Sequence, residues 1–148
     1  MTADFESLLN VQAEAVEAPK PVPQGTYRAQ IINYEKVESA QKKTPGVKFT
    51  LRLIEPQEDV DADDLANFAQ SGGVVSEKEL SHTFYVTEAS RFMLRSFMHE
   101  ALGIPESGRT LIAMLEDTKG CELLVRLKQK AGQRVGSYYN EIVETLAL

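Results

Sequence analysis

Hydrophobic and polar positions along this chain form four period-two stretches and one helical stripe. From Gly25, residues Tyr27, Ala29 and Ile31 alternate with Arg28 and Gln30, the period of a half-buried strand. The adjacent pair Ile31-Ile32 interrupts that alternation and predicts a bulge, beyond which Tyr34 sits on the outward face. Thr44-Pro45-Gly46 marks a turn. Val47, Phe49, Leu51 and Leu53 then alternate with Lys48, Thr50 and Arg52, the cleanest strand in the chain. A third strand carries Leu80, His82, Phe84 and Val86 on one face. Thr87 is placed to cap a helix through about Leu102, where Leu94, Phe97, Met98, Ala101 and Leu102 form a core-facing stripe and Gly103 ends it. Leu111, Ile112, Met114 and Leu115 make a short apolar segment before Gly120. Cys121, Leu123, Val125 and Leu127 alternate with Glu122, Leu124, Arg126 and Lys128, and a turn from Lys130 to Gly136 leads into a last strand over 137–146. Phe49, Phe84, Phe92 and Phe97 read as core, as does one of Tyr138 and Tyr139.

Two regions lie outside this pattern. Residues 1–24 read as an acidic tail and linker, with prolines at 19, 21 and 23 favouring an extended chain. Within it Phe5, Leu8 and Leu9 could form a turn or two of amphipathic helix, which at that length needs a partner surface. Residues 56–73 read as an insertion holding a short helix, with acids in its first turn and Gly72-Gly73 after its end. The domain proper is then 25–148. Its order of strand, strand, strand, helix, strand, strand is that of the OB-fold. The expected class is mainly β, a five-stranded Greek-key barrel with its helix between strands three and four.

Composition narrows the function classes. With 148 residues, 43% of them hydrophobic and 26% charged, the chain can bury the core of one domain. A single cysteine excludes a disulfide framework and a Cys-rich zinc site. No run approaches 18 apolar residues, so no spanning helix is expected. The acidic start Asp4-Phe5-Glu6 lacks the basic region of a secretory signal, and a cytoplasmic location is expected.

The net charge of −6 argues against a nucleic-acid partner until it is resolved by position. Residues 1–20 hold four acids and one base, and residues 55–64 hold six acids and no base; the remainder carries 15 bases against 12 acids. Those bases concentrate in two windows. One runs from Lys36 to Arg52 with Lys42, Lys43 and Lys48, and the other from Arg126 to Arg134 with Lys128 and Lys130. In an OB-fold the loops joining strands 1–2 and 4–5 flank one groove, the usual oligonucleotide site, and the tips of both windows fall on those loops. Arg28 adds to the same outward set. Single-strand binding also needs aromatic faces for bases to stack on. Tyr34 and one of the Tyr138/Tyr139 pair, taken as Tyr139, are the candidates.

The stretch Gly25-Thr26-Tyr27-Arg28-Ala29-Gln30-Ile31, the Gly46 turn with its alternating strand, Phe92 through Leu102-Gly103, Gly120, and Tyr139-Asn140-Glu141-Ile142 together resemble one family. It is that of bacteriophage single-stranded DNA-binding proteins with an OB-fold, over roughly residues 25–144. The resemblance implies sequence-tolerant coating of single-stranded DNA in replication or recombination, often as a homo-oligomer, in the host cytoplasm. One departure is that the acidic segment here lies near residue 1, while the last residues are Glu144-Thr145-Leu146-Ala147-Leu148.

No enzymatic chemistry is expected. Asp59, Asp61 and Asp63 match the first ligands of an EF-hand loop, but Asp64 stands where glycine is needed and Gln70 where a bidentate glutamate is needed. His82 and His99 lack acidic partners at ligand spacing and read as structural, and Cys121 reads as a small hydrophobe. No phosphate-binding glycine loop or nucleophile elbow is present, and no cofactor or metal is implied. Two rivals to DNA binding remain. One is a structural or protein-interaction module, for instance a virion or replisome component, that engages a protein partner through the tail. The other is an enzyme acting on nucleic acid through the acidic insertion.

Overall fold

The computed structural model describes residues 9–10, 20–133 and 137–148. Five alternating segments build one antiparallel sheet: β1 (Gly25–Glu38), β2 (Pro45–Pro56), β3 (Glu79–Tyr85), β4 (Glu122–Ala131) and β5 (Tyr138–Leu146), in the order β3-β2-β1-β4-β5. β1 is the shared strand. Its first residues pair with β4, Gly25 opposite Leu127, while nearly its whole length pairs with β2, down to Glu38 opposite Pro45. Among the described residues β3 and β5 are edges with no ladder between them, so the sheet is not closed.

The inner face holds the core. Tyr27, Ala29, Ile31, Phe49, Leu51, Leu53, Leu123, Val125 and Leu127 are buried there, at the positions the alternation assigns. The expected bulge is present, because the β1–β2 register shifts between Ile31 and Asn33. Its consequence differs from the expectation. Tyr34 comes to lie opposite Phe49 on the inner side, with the two ring centroids 6.3 Å apart. The skipped residue is Ile32, so the faces exchange once and Tyr34 turns toward the core instead of outward.

Helices cover one part of the inner face. α1 (Ala62–Gln70) forms as its sequence predicts: Asp61 caps it, accepting from Asp64 N at 2.9 Å, with Asp63 and Asp64 in the first turn. α2 (Arg91–Ser96) continues as a π-helical turn over Phe97–Ala101 and buries Leu94, Phe97, Met98 and Ala101. It starts later than the pattern suggests, because Thr87 and Ser90 bond each other's backbone N–H groups in a closed turn first. Phe92, read as core, is 60% exposed, because it faces away from the buried stripe, with Arg95 over its ring at 5.0 Å. A third helix, α3 (Leu111–Glu116), buries Met114 and Leu115.

The linker and the insertion both anchor on the sheet. Val22 is fully buried, and Asn140 and Gln129 side chains donate to its carbonyl at 3.0 and 2.9 Å. Lys78 Nζ donates to Lys20 O at 2.6 Å, so residues 20–24 cross between the start of β3 and the β4–β5 pair. The insertion docks through Val60, which is buried, and Asp59, which accepts from Thr26 N at 2.9 Å and Thr26 Oγ1 at 2.8 Å. Those two bonds hold the Asp59 carboxyl below the ordinary carboxylate range. Gly25 is required at this junction: its φ is 137°, and a Cβ would meet Val60 Cγ2 at 2.6 Å. Among the described residues no helix is long and apolar enough to cross a membrane.

Candidate nucleic-acid interface

Side chains that alternate with the core positions emerge on the outer face of the sheet. Arg28 on β1, Lys48 and Arg52 on β2, and Arg126, Lys128 and Lys130 on β4 all occupy such positions. Tyr139, opposite Lys130, joins them. Six bases and an aromatic ring thus share one surface, as the alternation requires once the strands are neighbours.

The same surface carries six glutamates. Arg52 Nη2 lies 2.9 Å from Glu79 Oε1, Arg126 Nη2 is 2.8 Å from Glu144 Oε2, and Lys130 Nζ is 3.0 Å from Glu141 Oε2. Lys48 approaches Glu35 at 3.7 Å. Arg28 Nε sits 3.5 Å from both Glu55 Oε1 and Glu122 Oε1 without a hydrogen bond to either. Glu141 also raises the Lys130 ammonium above the usual lysine range, by the hydrogen bond first and its charge second. The outer face is therefore charge-balanced. Such exposed pairs are weak and screened by salt, and a phosphate strand can compete for the bases.

Lys36, Lys42, Lys43 and Lys128 make no ion pair among the described residues. Lys42 and Lys43 ride on a tight loop closed by Ser39, whose N donates to Thr44 O at 2.9 Å and whose Oγ accepts from Thr44 N at 2.9 Å. Lys43 takes a φ of 53° in that loop. Arg134 lies outside the described residues. The two basic windows do not adjoin. The β1–β2 loop leaves from the Glu38 end of β1, whereas Ala131 lies four residues beyond the Gly25–Leu127 pair at the other end. They border the outer face from opposite ends of the strands.

Two aromatic assignments change. Tyr34 does not offer a free face outward: its ring packs against the core and its hydroxyl donates to Glu116 Oε1 at 3.1 Å, a bond that raises its pKa. Neither of the Tyr138/Tyr139 pair is core. They are 53% and 52% exposed, because the pair lies past the start of β1 where no further strand covers β5. Tyr85 is a further exposed ring at the end of β3, opposite Gly46 and so next to the lysine-bearing loop. Its place at the end of an alternating strand was the only sequence signal for it. The glutamate partners were also missed, since counting charge along a window cannot register an acid on the neighbouring strand.

The titratable groups away from this face have structural settings. His82 packs edge-on against Phe84 at 4.7 Å, and burial lowers its pKa. His99 Nδ1 bonds Ile104 O at 2.8 Å. Burial pushes the Cys121 thiol up, which disfavours the reactive thiolate. No group of three or more His, Cys, Asp or Glu side chains poised to hold a metal occurs among the described residues. The sequence matches no protein-family model and no curated protein.

Proposed function

We propose that this chain is a non-catalytic single-stranded DNA-binding protein that coats single strands without strong sequence preference. We further infer that its sheet is an OB-type barrel left open between β3 and β5, since β3-β2-β1-β4-β5 is the order such a barrel has when parted at that seam. One observation carries the functional reading: the basic side chains of β1, β2 and β4 emerge on one outer face, with lysines at the β1–β2 loop and on β4 that make no ion pair among the described residues. Phosphates would be neutralised first by Lys36, Lys42, Lys43 and Lys128, and bases would stack on Tyr139 and Tyr85. The resemblance over residues 25–144 suggests phage DNA replication or recombination as the setting.

Anisotropy of a labelled oligo-dT titrated with protein across salt concentrations tests this. Four single-strand phosphate contacts predict a log–log salt slope of about −3. A slope about twice as steep would mean that the glutamate pairs also open to phosphate. The same-length duplex should bind more weakly. No oligo-dT binding at low salt, or binding flat across salt, ends the proposal.

A second reading is favoured by a different surface. Phe92, Met93, Val143 and Leu146 are exposed around the groove between the β3 and β5 edges. An exposed apolar cluster beside two unpaired strand edges suits a protein partner. Loss of function from Val143→Asp with oligo-dT binding intact would favour it.

A further inference from the structure

At the seam between β3 and β5, a groove of about 630 Å³ leaves one side of the core half open. Leu80, His82 and Phe84 on β3 and Ile142 on β5 are half-buried there, whereas Phe49, Leu51 and Leu127, their ladder neighbours on β2 and β4, are buried. Neither edge strand has a second ladder among the described residues. All four ladders of the sheet are antiparallel, so β3 and β5, four reversals apart, run in the same direction. A single extended segment lying between them in the opposite direction forms antiparallel ladders with both, the more stable pairing per residue.

Charge selects the kind of segment. β3 and β5 together carry Glu79, Glu141 and Glu144 and no lysine or arginine. Their ladder partners Arg52, Lys128 and Arg126 place all three on the outer face. Glu100, a further carboxylate lining the groove, makes no ion pair among the described residues. Burial lowers the pKa of His82, which disfavours a cation on the inner side. We propose that the seam receives an extended segment of a partner protein as a sixth strand, apolar at alternate positions toward Phe97 and Ile142 and basic between them toward Glu79, Glu141 and Glu144. Main-chain bonds to both edges would supply affinity, and the alternation would supply selectivity. This occupant rests on the reading of the seam as a protein-binding surface. A second copy of the chain is a poorer fit. Each of its folded edge strands has one free side where the seam offers two, and edge-to-edge pairing would set glutamates against glutamates.

A fluorescein-labelled Lys-Val-Lys-Val-Lys-Val-Lys peptide, as long as β3, tests this in an anisotropy titration with the full chain. It is expected to saturate, and a peptide with glutamate in place of lysine is expected not to bind. Methylating alternate backbone nitrogens of the first peptide keeps its charge and side chains but removes ladder donors, and a loss of about tenfold is expected. Val143→Asp adds a carboxylate at an exposed position, so attraction by charge alone would tighten binding, whereas a docked strand is weakened about tenfold. Bound peptide should slow hydrogen exchange over both 79–85 and 138–146. No binding of the lysine peptide, equal binding of the methylated or glutamate peptide, tighter binding by Val143→Asp, or protection of one edge alone overturns the proposal. A concentration-dependent mass that Val143→Asp abolishes overturns it too, since a second copy would then fill the seam. If the lysine peptide fails while Val143→Asp still costs function, the sixth strand is rejected and the seam remains a protein site.

Discussion

On the inner face of the sheet, Tyr27, Ile31, Phe49, Leu51, Leu123 and Val125 are buried against one another, and each finds its place by alternation within its own strand. On the outer face the same strands present six bases and six glutamates, and five of those bases pair across strands: Arg28 and Arg52 reach glutamates more than twenty positions away, while Lys48, Arg126 and Lys130 meet glutamates 11 to 18 positions away on the next strand. The inner face is a packing problem, non-directional and dominated by apolar area. The outer face is an electrostatic one in high dielectric, where each pair is weak and any polyanion is a competitor. Stability should therefore respond to the inner face and ligand binding to the outer.

That contrast can be broken, beginning with its strongest claim. Phe49→Ala removes a ring in contact distance of Phe84 and Phe97, with centroids 6.0 and 5.0 Å away, and should cost about 3–5 kcal/mol in urea unfolding. A cost near that of a surface substitution would mean the inner face is not the core. Gly25→Ala forces a side chain into a left-handed backbone position and against Val60, and about 2 kcal/mol is expected by the same measurement. Lys42→Glu with Lys43→Glu should leave the unfolding midpoint unchanged and weaken oligo-dT binding about tenfold or more at low salt. Arg52→Gln, which removes a base already matched by Glu79, should weaken binding less. Equal losses for the two would erase the distinction between paired and unpaired cations.

The smallest effect concerns Asp59. Its folded pKa is depressed, so its ionised form adds stability above the unfolded carboxylate pKa, and that contribution is lost as pH falls through the folded value. Asp59→Asn should be less stable than the natural chain at pH 7 by under about 1 kcal/mol. The gap should narrow as pH falls below the ordinary carboxylate range in a denaturant series, and a gap that widens in acid would contradict the sign.

Much of the architecture was legible in advance. Strands around Phe49 and Val125, the buried stripe of Leu94, Phe97, Met98 and Ala101, and the Asp61-capped α1 follow from local sterics and periodicity. The errors have a common origin. Tyr34 was turned by a bulge whose position was anticipated but whose parity depends on the partner strand. Tyr138 and Tyr139 were left uncovered because β1 begins too late to shield them. Phe92 looked like core by composition, yet only the helix's orientation shows that its side faces out. Val22, within a proline-rich stretch that reads as linker, is buried by Asn140 and Gln129, more than a hundred residues away.

By itself, then, the sequence determined which residues form strands and helices, and which side of each strand is apolar, because backbone sterics and the two-residue period act over a few bonds. Tertiary structure alone decided which strands became neighbours, and with that which charges cancel. The basic windows counted along the chain become, on the folded surface, a ladder of Arg52 with Glu79, Arg126 with Glu144 and Lys130 with Glu141, acids that lie outside both acidic windows, with Lys36, Lys42, Lys43 and Lys128 left unmatched among the described residues. Coulomb energy depends on distance in space, and strand pairing sets that distance without regard to separation along the chain.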